Sequence, residues 1–400
     1  MTVSASTVSS DVVVVGGGPA GSVSALLLAR AGYQVTLLDR AEFPRAKACG
    51  DCISPGANRI FQRIGVWADI LAAGPAVLQG WRLTSVARTT FSADFTDAEA
   101  LAIDRRTLDA ILLRHAQRAG VDVRQNTRAI DVLRTGNGAI AGVHAHCHGE
   151  GIDFRARLTV GADGLRSIIA RKLRAYARRP RLRKASFTMH VPLPRDSAYG
   201  EMRLCPGGCL GLAPVVRDGA QPMHNVTLVL MHGSYDARIG AHKIVRAALT
   251  AFDDMTELEV PDDILASGPF DWPVRATVFD GAALVGDAAG YYDPFTGQGI
   301  YQALAGAELL AQHAGAALRD GAVTQRALHS YGRAHARLRS APRRLQHIIE
   351  FVCARPALAE RVFARFAHED AIARALIAVT GDLLPVRSLI SPYLLARLAS

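Results

Sequence analysis

Lysine is scarce in this chain of 400 residues, and almost all of its positive charge comes from arginine. Lysine and arginine together number 46 against 36 acidic residues, which gives a formal net charge of +10. Aromatic residues make up only 6% of the sequence, and they do not alternate with the arginines as they do in nucleic-acid recognition modules. The charge is therefore poor support for nucleic-acid binding, and we expect no nucleic-acid partner.

The sequence also has no long run of apolar residues. No window reaches the length that a membrane span requires, and residues 1–10 contain neither the basic nor the apolar region of a signal peptide. Six cysteines in a chain of this length do not form the disulfide framework of a small secreted domain. We therefore expect a cytoplasmic protein with no transmembrane segment.

A glycine-rich turn near the N-terminus joins a short apolar strand, residues 11–15, to an apolar helix. A second strand follows and ends at Asp39. Glycines at these spacings allow close approach of a pyrophosphate, and an acidic residue at the end of the second strand can bind ribose hydroxyls. The unit predicts a dinucleotide site at Gly16, Gly18, Gly21 and Asp39.

A second glycine-rich loop follows a buried apolar strand at residues 282–285 and leads into an apolar helix that begins near Tyr301. Asp287 ends the strand, and the loop contains Pro294, Gly297 and Gly299. The first N–H groups of a helix lack intrahelical partners and lie at the positive end of its dipole. We therefore expect this loop to receive an anionic group and Asp287 to hold a hydroxyl.

Three motifs in this order resemble the p-hydroxybenzoate hydroxylase-fold flavoprotein superfamily. They are residues 16–21 with Asp39, residues 161–167, which contain Asp163-Gly164, and residues 286–299. Within that superfamily, residues 45–54 resemble the Cys-Gly-Glu/Gly motif of the FAD-dependent geranylgeranyl reductase family. The resemblance implies an α/β protein with a Rossmann-like FAD-binding domain of the p-hydroxybenzoate hydroxylase and glutathione reductase type, an inserted antiparallel β-sheet substrate domain and a C-terminal helical tail.

The domain boundaries follow from the same motifs and from a change of pattern after Lys184, where antiparallel strands begin. We expect a small, polar and disordered N-terminus at residues 1–10. The FAD-binding domain is discontinuous and takes residues 11–80, 101–183 and 275–332. The substrate domain takes residues 81–100 and 184–274, and the C-terminal helical region takes residues 333–400.

The resemblance also implies the residues that bind FAD. The backbone of residues 18–21 and the side chain of Arg105 would contact the pyrophosphate, Asp287 the ribitol, and residues 297–300 the pyrimidine edge of the flavin. No second dinucleotide fingerprint is present, so NAD(P)H is implied as a transient electron donor. The full predicted set is Gly16, Gly18, Pro19, Ala20, Gly21, Asp39, Arg40, Cys49, Gly50, Cys52, Arg105, Ala129, Asp163, Asp287, Pro294, Gly297, Gly299 and Ile300.

Cys49 and Cys52 have the two-residue spacing of a redox dithiol. The reductase family carries a cysteine at the place of Cys49 without a dithiol partner, so we expect Cys49 to be catalytic or to contact the flavin. A working dithiol stays open as the alternative. Cys205 and Cys209 would complete a four-cysteine zinc site, but small buried cysteines are common in strands, and we expect no metal.

The resemblance predicts an FAD-dependent oxidoreductase that reduces a carbon–carbon double bond of an isoprenoid-, polyketide- or lipid-like substrate by hydride transfer from flavin N5. The alternative is a monooxygenase that acts on an aromatic or polyketide substrate through a flavin C4a-hydroperoxide. Residues 208–215 depart from the aromatic-rich motif expected of the reductases, which keeps this alternative open. A halogenase is a minor alternative, since the chain has no Trp-x-Trp-x-Ile-Pro segment.

Two basic regions of the sequence are candidate surfaces for contact with a partner, and the sequence does not decide which partner. Residues 171–184 carry eight positive charges, which favour a solvated surface or a docking patch for a carrier protein, a CoA thioester or NADPH. In the C-terminal tail, apolar residues recur at helical spacing at Leu345, Ile348, Ile349 and Val352. Such a stripe favours packing on the body of the protein, with peripheral membrane contact as the alternative.

Overall fold

The computed structural model describes residues 6–193, 197–216 and 223–390. The strands in this part of the chain are β1 (Ser6–Val15), β2 (Val35–Leu38), β3 (Cys52–Ile53), β4 (Ala76–Leu78), β5 (Gly80–Thr84), β6 (Thr90–Asp94), β7 (Ala100–Ala102), β8 (Asp122–Arg124), β9 (Thr127–Arg134), β10 (Ile140–Cys147), β11 (Glu150–Gly161), β12 (Lys184–Pro192), β13 (Tyr199–Cys205), β14 (Gly208–Val215), β15 (Met223–Met231), β16 (Leu265–Ser267), β17 (Val278–Phe279) and β18 (Ala282–Leu284).

The α-helices of the described residues are α1 (Pro19–Arg30), α2 (Pro55–Arg63), α3 (Trp67–Ala72), α4 (Arg105–Arg118), α5 (Ile168–Lys172), α6 (Ala241–Leu249), α7 (Gly299–Arg319), α8 (His329–Cys353), α9 (Pro356–His368) and α10 (Asp370–Thr380). Among them, no helix is both long and apolar enough to cross a membrane.

A mostly parallel sheet carries the dinucleotide motif. Its strand order is β17-β18-β11-β1-β2-β8, and the β9–β10 hairpin joins it through β11. The central strands are continuous apolar runs because both of their faces are covered: residues 12–15 of β1 and all of β2 are buried. Helix α1 packs on this sheet and against α4 and α7. The parallel pairing brings the ends of β1, β2 and β11 to the same edge of the sheet.

The predicted disorder of residues 1–10 is wrong for residues 6–10, while residues 1–5 lie outside the described part. Strand β1 begins at Ser6, and residues 6–10 pair in parallel with residues 152–156 of β11. Main-chain hydrogen bonds of a strand do not depend on its side chains, so a small, polar segment can extend a sheet where a long neighbour offers its edge.

A second, seven-stranded sheet has the order β16-β12-β15-β14-β13-β5-β6. All of its neighbours are antiparallel except β13 and β5. Helix α6 covers one face through Ile244, Val245 and Leu249. With the parallel sheet and the C-terminal helices, this second sheet confirms the predicted fold class. The boundaries between the predicted domains stay a prediction.

The predicted helical tail is present as α8, α9 and α10. Helices α9 and α10 pack on β6 at the edge of the second sheet, where the rings of Phe363 and Phe366 meet Phe91 edge to face. The packing predicted for the apolar stripe of α8 is wrong for Ile348, which is 61% exposed, whereas Leu345 is only 6% exposed. The face that α8 buries passes through Leu345 and the half-buried Ile349, four residues apart, and leaves Ile348 outside.

Candidate active site

A cavity of about 770 Å³ lies where the ends of β1 and β2 face the second sheet. Its volume is in the range of cofactor and ligand sites. Of the predicted cofactor-contact residues, all but Gly21 line it. The structure therefore brings together residues that are distributed from Gly16 to Ile300 in the sequence.

Three positions of the glycine turn at the start of α1 require glycine, each for a different reason. Gly16 has a φ of +106°, and a Cβ there would lie 2.5 Å from the carbonyl oxygen of Ala162. Gly18 leaves open space toward the cavity, since the nearest atom to a Cβ would be the Arg45 guanidinium at 3.6 Å. Gly21 differs from the other predicted positions because it does not line the cavity. A Cβ there would lie 1.8 Å from the Gly16 carbonyl oxygen. The lack of a Cβ allows α1 to pack on the turn.

Asp39 is anchored by the backbone at the end of β2. Its Oδ2 accepts a hydrogen bond from the Gly17 N–H at 2.7 Å, and its Oδ1 accepts one from the Ala41 N–H at 2.9 Å. The Arg45 guanidinium lies 3.8 Å from Oδ2. Two fixed N–H donors hold the carboxylate at the cavity wall, in the position that ribose hydroxyls would require.

Arg105, the first residue of α4, is a buried member of the wall. Its Nε and Nη2 donate to the two carboxylate oxygens of Asp109 at 2.9 and 2.8 Å. The charge of the Arg105 guanidinium also acts on the Cys49 thiol and opposes the effect of burial on its pKa. Arg45 adds a further contact to Asp109 at 3.3 Å. The predicted pyrophosphate ligand is thus a charged group held rigidly by a buried partner.

The thiols of Cys49 and Cys52 both line the cavity and both are free. Burial raises the pKa of the Cys49 thiol, against the opposing charge of Arg105. Burial also raises the pKa of Cys52, and the Asp51 charge adds to that shift. A thiolate is the nucleophile of dithiol exchange, so raised thiol pKa values disfavour the dithiol alternative and leave Cys49 as a protonated thiol.

A buried polar cluster holds the Cys49 loop against the second sheet. Asp51 is 1% exposed with a φ of +56°, and its Oδ2 accepts from Asn225 Nδ2 at 2.8 Å and lies 2.5 Å from His190 Nε2. Asn225 Nδ2 also donates to the Cys49 carbonyl oxygen at 2.7 Å. Burial raises the pKa of Asp51, and the hydrogen bond from His190 opposes the shift.

Asn225 and His190 were missed by sequence reasoning. They are direct partners in the antiparallel pairing of β12 with β15, so their side chains stand on the same face. The available signal was a polar residue within each of two apolar strands. That signal could not identify Asp51 as the partner, because 139 residues separate Asp51 from His190.

Asp287 follows β18 in a short 3-10 helix, Gly286–Ala289, and lines the cavity. Burial raises the pKa of its carboxyl, and the charges of Lys47, Arg339 and Arg105 oppose the shift. Lys47 also lines the cavity and was missed. Burial lowers the pKa of the Lys47 ammonium, and the charge of Arg105 adds to that effect. A lysine in an alanine-rich loop gave no sign of burial, since the loop became an inner wall only on folding.

The loop after Asp287 delivers the N-terminus of α7 to the cavity. Gly297 has a φ of +67°, and its N–H donates to the Pro294 carbonyl oxygen at 3.0 Å. The first intrahelical bond is that of Gln302 N–H to Gln298 O. The N–H groups at Gly299 and Ile300 precede it, so they are available to an acceptor in the cavity.

Asp163 lines the cavity but uses its carboxylate within the chain. Its Oδ1 accepts from Ser167 Oγ at 2.5 Å, and its Oδ2 accepts from the Ile168 N–H at 2.7 Å. These bonds cap α5. Its predicted contact with the cofactor stays a prediction.

The basic run at residues 171–184 divides into two groups. Lys184 is 11% exposed and lies 3.2 Å from Asp293, and Arg178 lies 2.7 Å from Asp271. Arg171 lines the cavity mouth. The exposed arginines of the run are Arg171, Arg174, Arg179, Arg181 and Arg183.

The donor set fits FAD in kind. The cavity combines an open glycine turn, an anchored carboxylate at Asp39, cationic side chains at Arg45 and Lys47, and free helix N–H groups at the start of α7. Phosphates require the cations and the turn, ribose the carboxylate, and an electron-rich ring the helix N-terminus. No group of three or more metal-ligating side chains occurs among the described residues.

Comparison with known proteins agrees with this geometry. The model of the FAD binding domain family matches residues 9–344. A digeranylgeranylglycerophospholipid reductase from Methanothrix thermoacetophila is 30% identical over 304 residues, which cover 74% of this chain and 74% of that protein.

Two solved structures show the same fold. The flavin-dependent brominase Bmp2 has a TM-score of 0.80 at 18% identity and covers 96% of this chain and 99% of its own. A geranylgeranyl bacteriochlorophyll reductase-like protein from Thermoplasma acidophilum has a TM-score of 0.72 at 21% identity and covers 98% of this chain and 96% of its own. At these identities the structural likeness establishes the fold alone.

Proposed function

The chain belongs to the FAD binding domain family and, within it, to the FAD-dependent oxidoreductases of the geranylgeranyl reductase family, and from this premise we propose that it reduces a carbon–carbon double bond of an apolar substrate. FAD is its cofactor. When bound, FAD supplies the hydride for the reduction. The substrate class we propose is isoprenoid-, polyketide- or lipid-like.

The single observation that carries the proposal is the position of Cys49. Cys49 lines the same cavity as the glycine turn and the apolar side chains of the second sheet. Burial raises its pKa, so it holds its proton at neutral pH. Reduction of a double bond requires a proton at the carbon that does not receive the hydride. We propose that the Cys49 Sγ donates this proton.

The neighbours of Cys49 hold it in place for that role. Arg105 lines the same cavity wall as Cys49, and its two hydrogen bonds to Asp109 hold the guanidinium in place. Asn225 fixes the Cys49 carbonyl, and Asp51 fixes Asn225. The thiol therefore approaches a substrate from a rigid loop, as a proton donor must.

The remaining wall of the cavity suits an apolar substrate. Apolar side chains of the second sheet and of nearby loops line it and exclude water: Trp81, Met202, Leu212, Val229, Phe270 and Phe295. At the opposite wall, the N–H groups of Gly299 and Ile300 stabilise negative charge. We propose that the substrate lies between these two walls.

The test is anaerobic mixing of the reduced, FAD-loaded protein with a panel of unsaturated isoprenoid, lipid and polyketide compounds. We expect a member of the panel to reoxidise the flavin without oxygen. Cys49→Ala should slow that step about a hundredfold while FAD stays bound, because a lost general acid costs at least that much. The matched control is Cys147→Ala, on β10 and away from the cavity. A native rate in Cys49→Ala removes this residue from the mechanism, and a flavin that no compound reoxidises refutes the reductase.

We also propose NAD(P)H as the transient electron donor. The exposed Arg166 and Arg171 line the mouth of the cavity, where they can pair with the phosphates of a nucleotide. Arg166→Ala should raise KM for NADPH about tenfold and leave the anaerobic substrate step unchanged. Equal slowing of both steps would place Arg166 elsewhere in the cycle.

A substrate of the proposed class can also be attached to a carrier protein or to CoA. For that case we propose that the exposed arginines after α5 attract the acidic carrier or the CoA group. Charge reversal at Arg179 and Arg181 should remove the salt dependence of turnover with such a substrate. The control is the same reversal at Arg355, which is exposed on the C-terminal side. Unchanged salt dependence would leave these arginines as a solvated surface.

A further inference from the structure

A second, smaller chamber opens beside the main cavity. Its volume is about 50 Å³. It shares three side chains with the main cavity, namely Trp81, Met202 and Phe295. These three shared side chains, which we call the neck, place the two spaces next to each other.

The far wall of the chamber is made by the C-terminal helices. Ile349 of α8 and Leu376, Ile377 and Thr380 of α10 line it, together with Leu83. All four helix residues lie after residue 344, where the match to the FAD binding domain family ends. The wall therefore lies outside the matched region.

The side chains that line the chamber are apolar except for those of Thr296 and Thr380. The two hydroxyls at the chamber are used within the protein. Thr296 Oγ1 accepts from Gln346 Nε2 at 2.9 Å, and Thr380 Oγ1 donates to the Leu376 carbonyl oxygen at 3.1 Å.

The neck is a rigid feature. Trp81 lies directly opposite Gly200 in the parallel pairing of β5 with β13. A Cβ on Gly200 would lie 2.8 Å from the indole ring, so the ring lies against the bare backbone of the neighbouring strand. Glycine at this position therefore leaves room for the indole ring.

The chamber wall is also tied to the cofactor loops. Asp382, two residues after Thr380, accepts from Ser54 Oγ at 2.7 Å and from Gln298 Nε2 at 2.6 Å. Ser54 ends the Cys49 loop, and Gln298 precedes α7. The Gly56 N–H donates to the Gly381 carbonyl oxygen at 3.0 Å. These hydrogen bonds therefore fix the position of the end of α10 relative to the Cys49 loop and to the start of α7.

We propose that this chamber binds the end of an aliphatic chain of the substrate and so sets the chain length that the enzyme prefers. The inference rests on the proposed function and adds a chain-length limit to it. The volume favours a chain end over a ring, because an apolar cavity that holds benzene has about 150 Å³ and the chamber has about 50 Å³. A methyl-branched or straight chain end fits, whereas an aromatic ring does not.

The experiment measures binding of prenyl alcohols of two, three and four isoprene units to the oxidised, FAD-loaded protein, from the change in flavin absorbance. Filling the chamber from α10 with Leu376→Phe should weaken the longest alcohol that reaches it about tenfold, since two or three buried carbons are lost. The shorter alcohols should bind as before. Ile349→Phe fills the same space from α8 and should have the same effect.

The matched control is Leu383→Ala. Leu383 packs in the same apolar cluster but does not line the chamber, so the chain-length profile should stay native. Leu376→Phe and Ile349→Phe variants that weaken every alcohol equally, or none, overturn the inference and leave the proposed function standing. A native protein whose flavin spectrum responds to none of the alcohols overturns the proposed isoprenoid class, and the inference with it.

Discussion

Asp382 gives a prediction whose sign is unusual for a buried carboxyl with two hydrogen-bond donors. Replacing it with asparagine should stabilise the protein by an amount that grows above about pH 4 and is complete above neutral pH. Burial raises the pKa of Asp382 to about 7, and the hydrogen bonds from Ser54 and Gln298 do not offset that effect. Tyr301 is the other titratable group coupled to it, and the Asp382 charge raises the pKa of Tyr301.

The direction follows from proton linkage. The folded protein binds the Asp382 proton more tightly than the unfolded chain does, with a pKa of about 7 against an ordinary value of 3.8. The stability that this provides is complete below about pH 4 and is lost as the pH rises through about 7. Asparagine is neutral at every pH, can accept from Gln298 and can donate to the Ser54 oxygen, and so avoids the loss.

The difference corresponds to about 4 kcal/mol, and residual solvent contact at Asp382 reduces it to about 2–4 kcal/mol. An unfolding entropy of about 2.1 cal/mol/K per residue converts this into a Tm gain of about 2–5 °C for a chain of this size. The assay is thermal unfolding of both proteins at about pH 4 and at about pH 8.5. The Tm difference should be close to zero at the lower pH and reach its full size at the higher pH.

The control is Asp370→Asn at the start of α10, the helix that ends just before Asp382. The Asp370 carboxylate is 74% exposed and pairs with Arg374. It should give no gain in Tm at either pH. An Asp382→Asn protein that is less stable than the native one at the higher pH would refute the reasoning, because it would mean that the charged carboxylate contributes net stability.

Three further predictions concern the cofactor side. Gly21→Ala places a Cβ 1.8 Å from the Gly16 carbonyl oxygen and should weaken FAD binding at least tenfold, measured by equilibrium dialysis; unchanged FAD affinity would contradict the packing role. Arg105→Met leaves the fully buried Asp109 carboxylate without its bidentate partner and should cost about 3–5 kcal/mol in chemical denaturation, and a loss under 1 kcal/mol would contradict it. Asn225→Ala frees the Cys49 carbonyl and should lower kcat about tenfold with FAD affinity unchanged; a native kcat would show that this contact is dispensable.

Local motifs were readable from the sequence because their chemistry depends on neighbours in the chain. The turn at Gly16, the strand before Asp287 and the helix after Gly299 each follow from spacing and from glycine. Gly21 shows the limit of that interpretation, since it does not line the cavity and its lack of a Cβ allows α1 to pack on the turn. Residues 6–10 show another limit, because pairing with β11 ordered a segment whose composition favours disorder.

Contacts between distant segments were not readable. Ser54 and Asp382 are 328 residues apart, and no local pattern at either position predicts the other. Lys184 appeared to be one charge of a solvated run, yet it lies inside with Asp293 and Glu350 as partners. Such pairings depend on how the second sheet and the C-terminal helices meet, which single-sequence periodicity does not encode.

The most direct test of the reductase account is the mass of the product formed by the reduced, FAD-loaded protein, with and without isotopically labelled dioxygen. The account predicts a product that has gained two hydrogens and is formed at the same yield when oxygen is absent. A product that forms only in the presence of oxygen and carries the labelled atom would contradict it and would make the protein a monooxygenase.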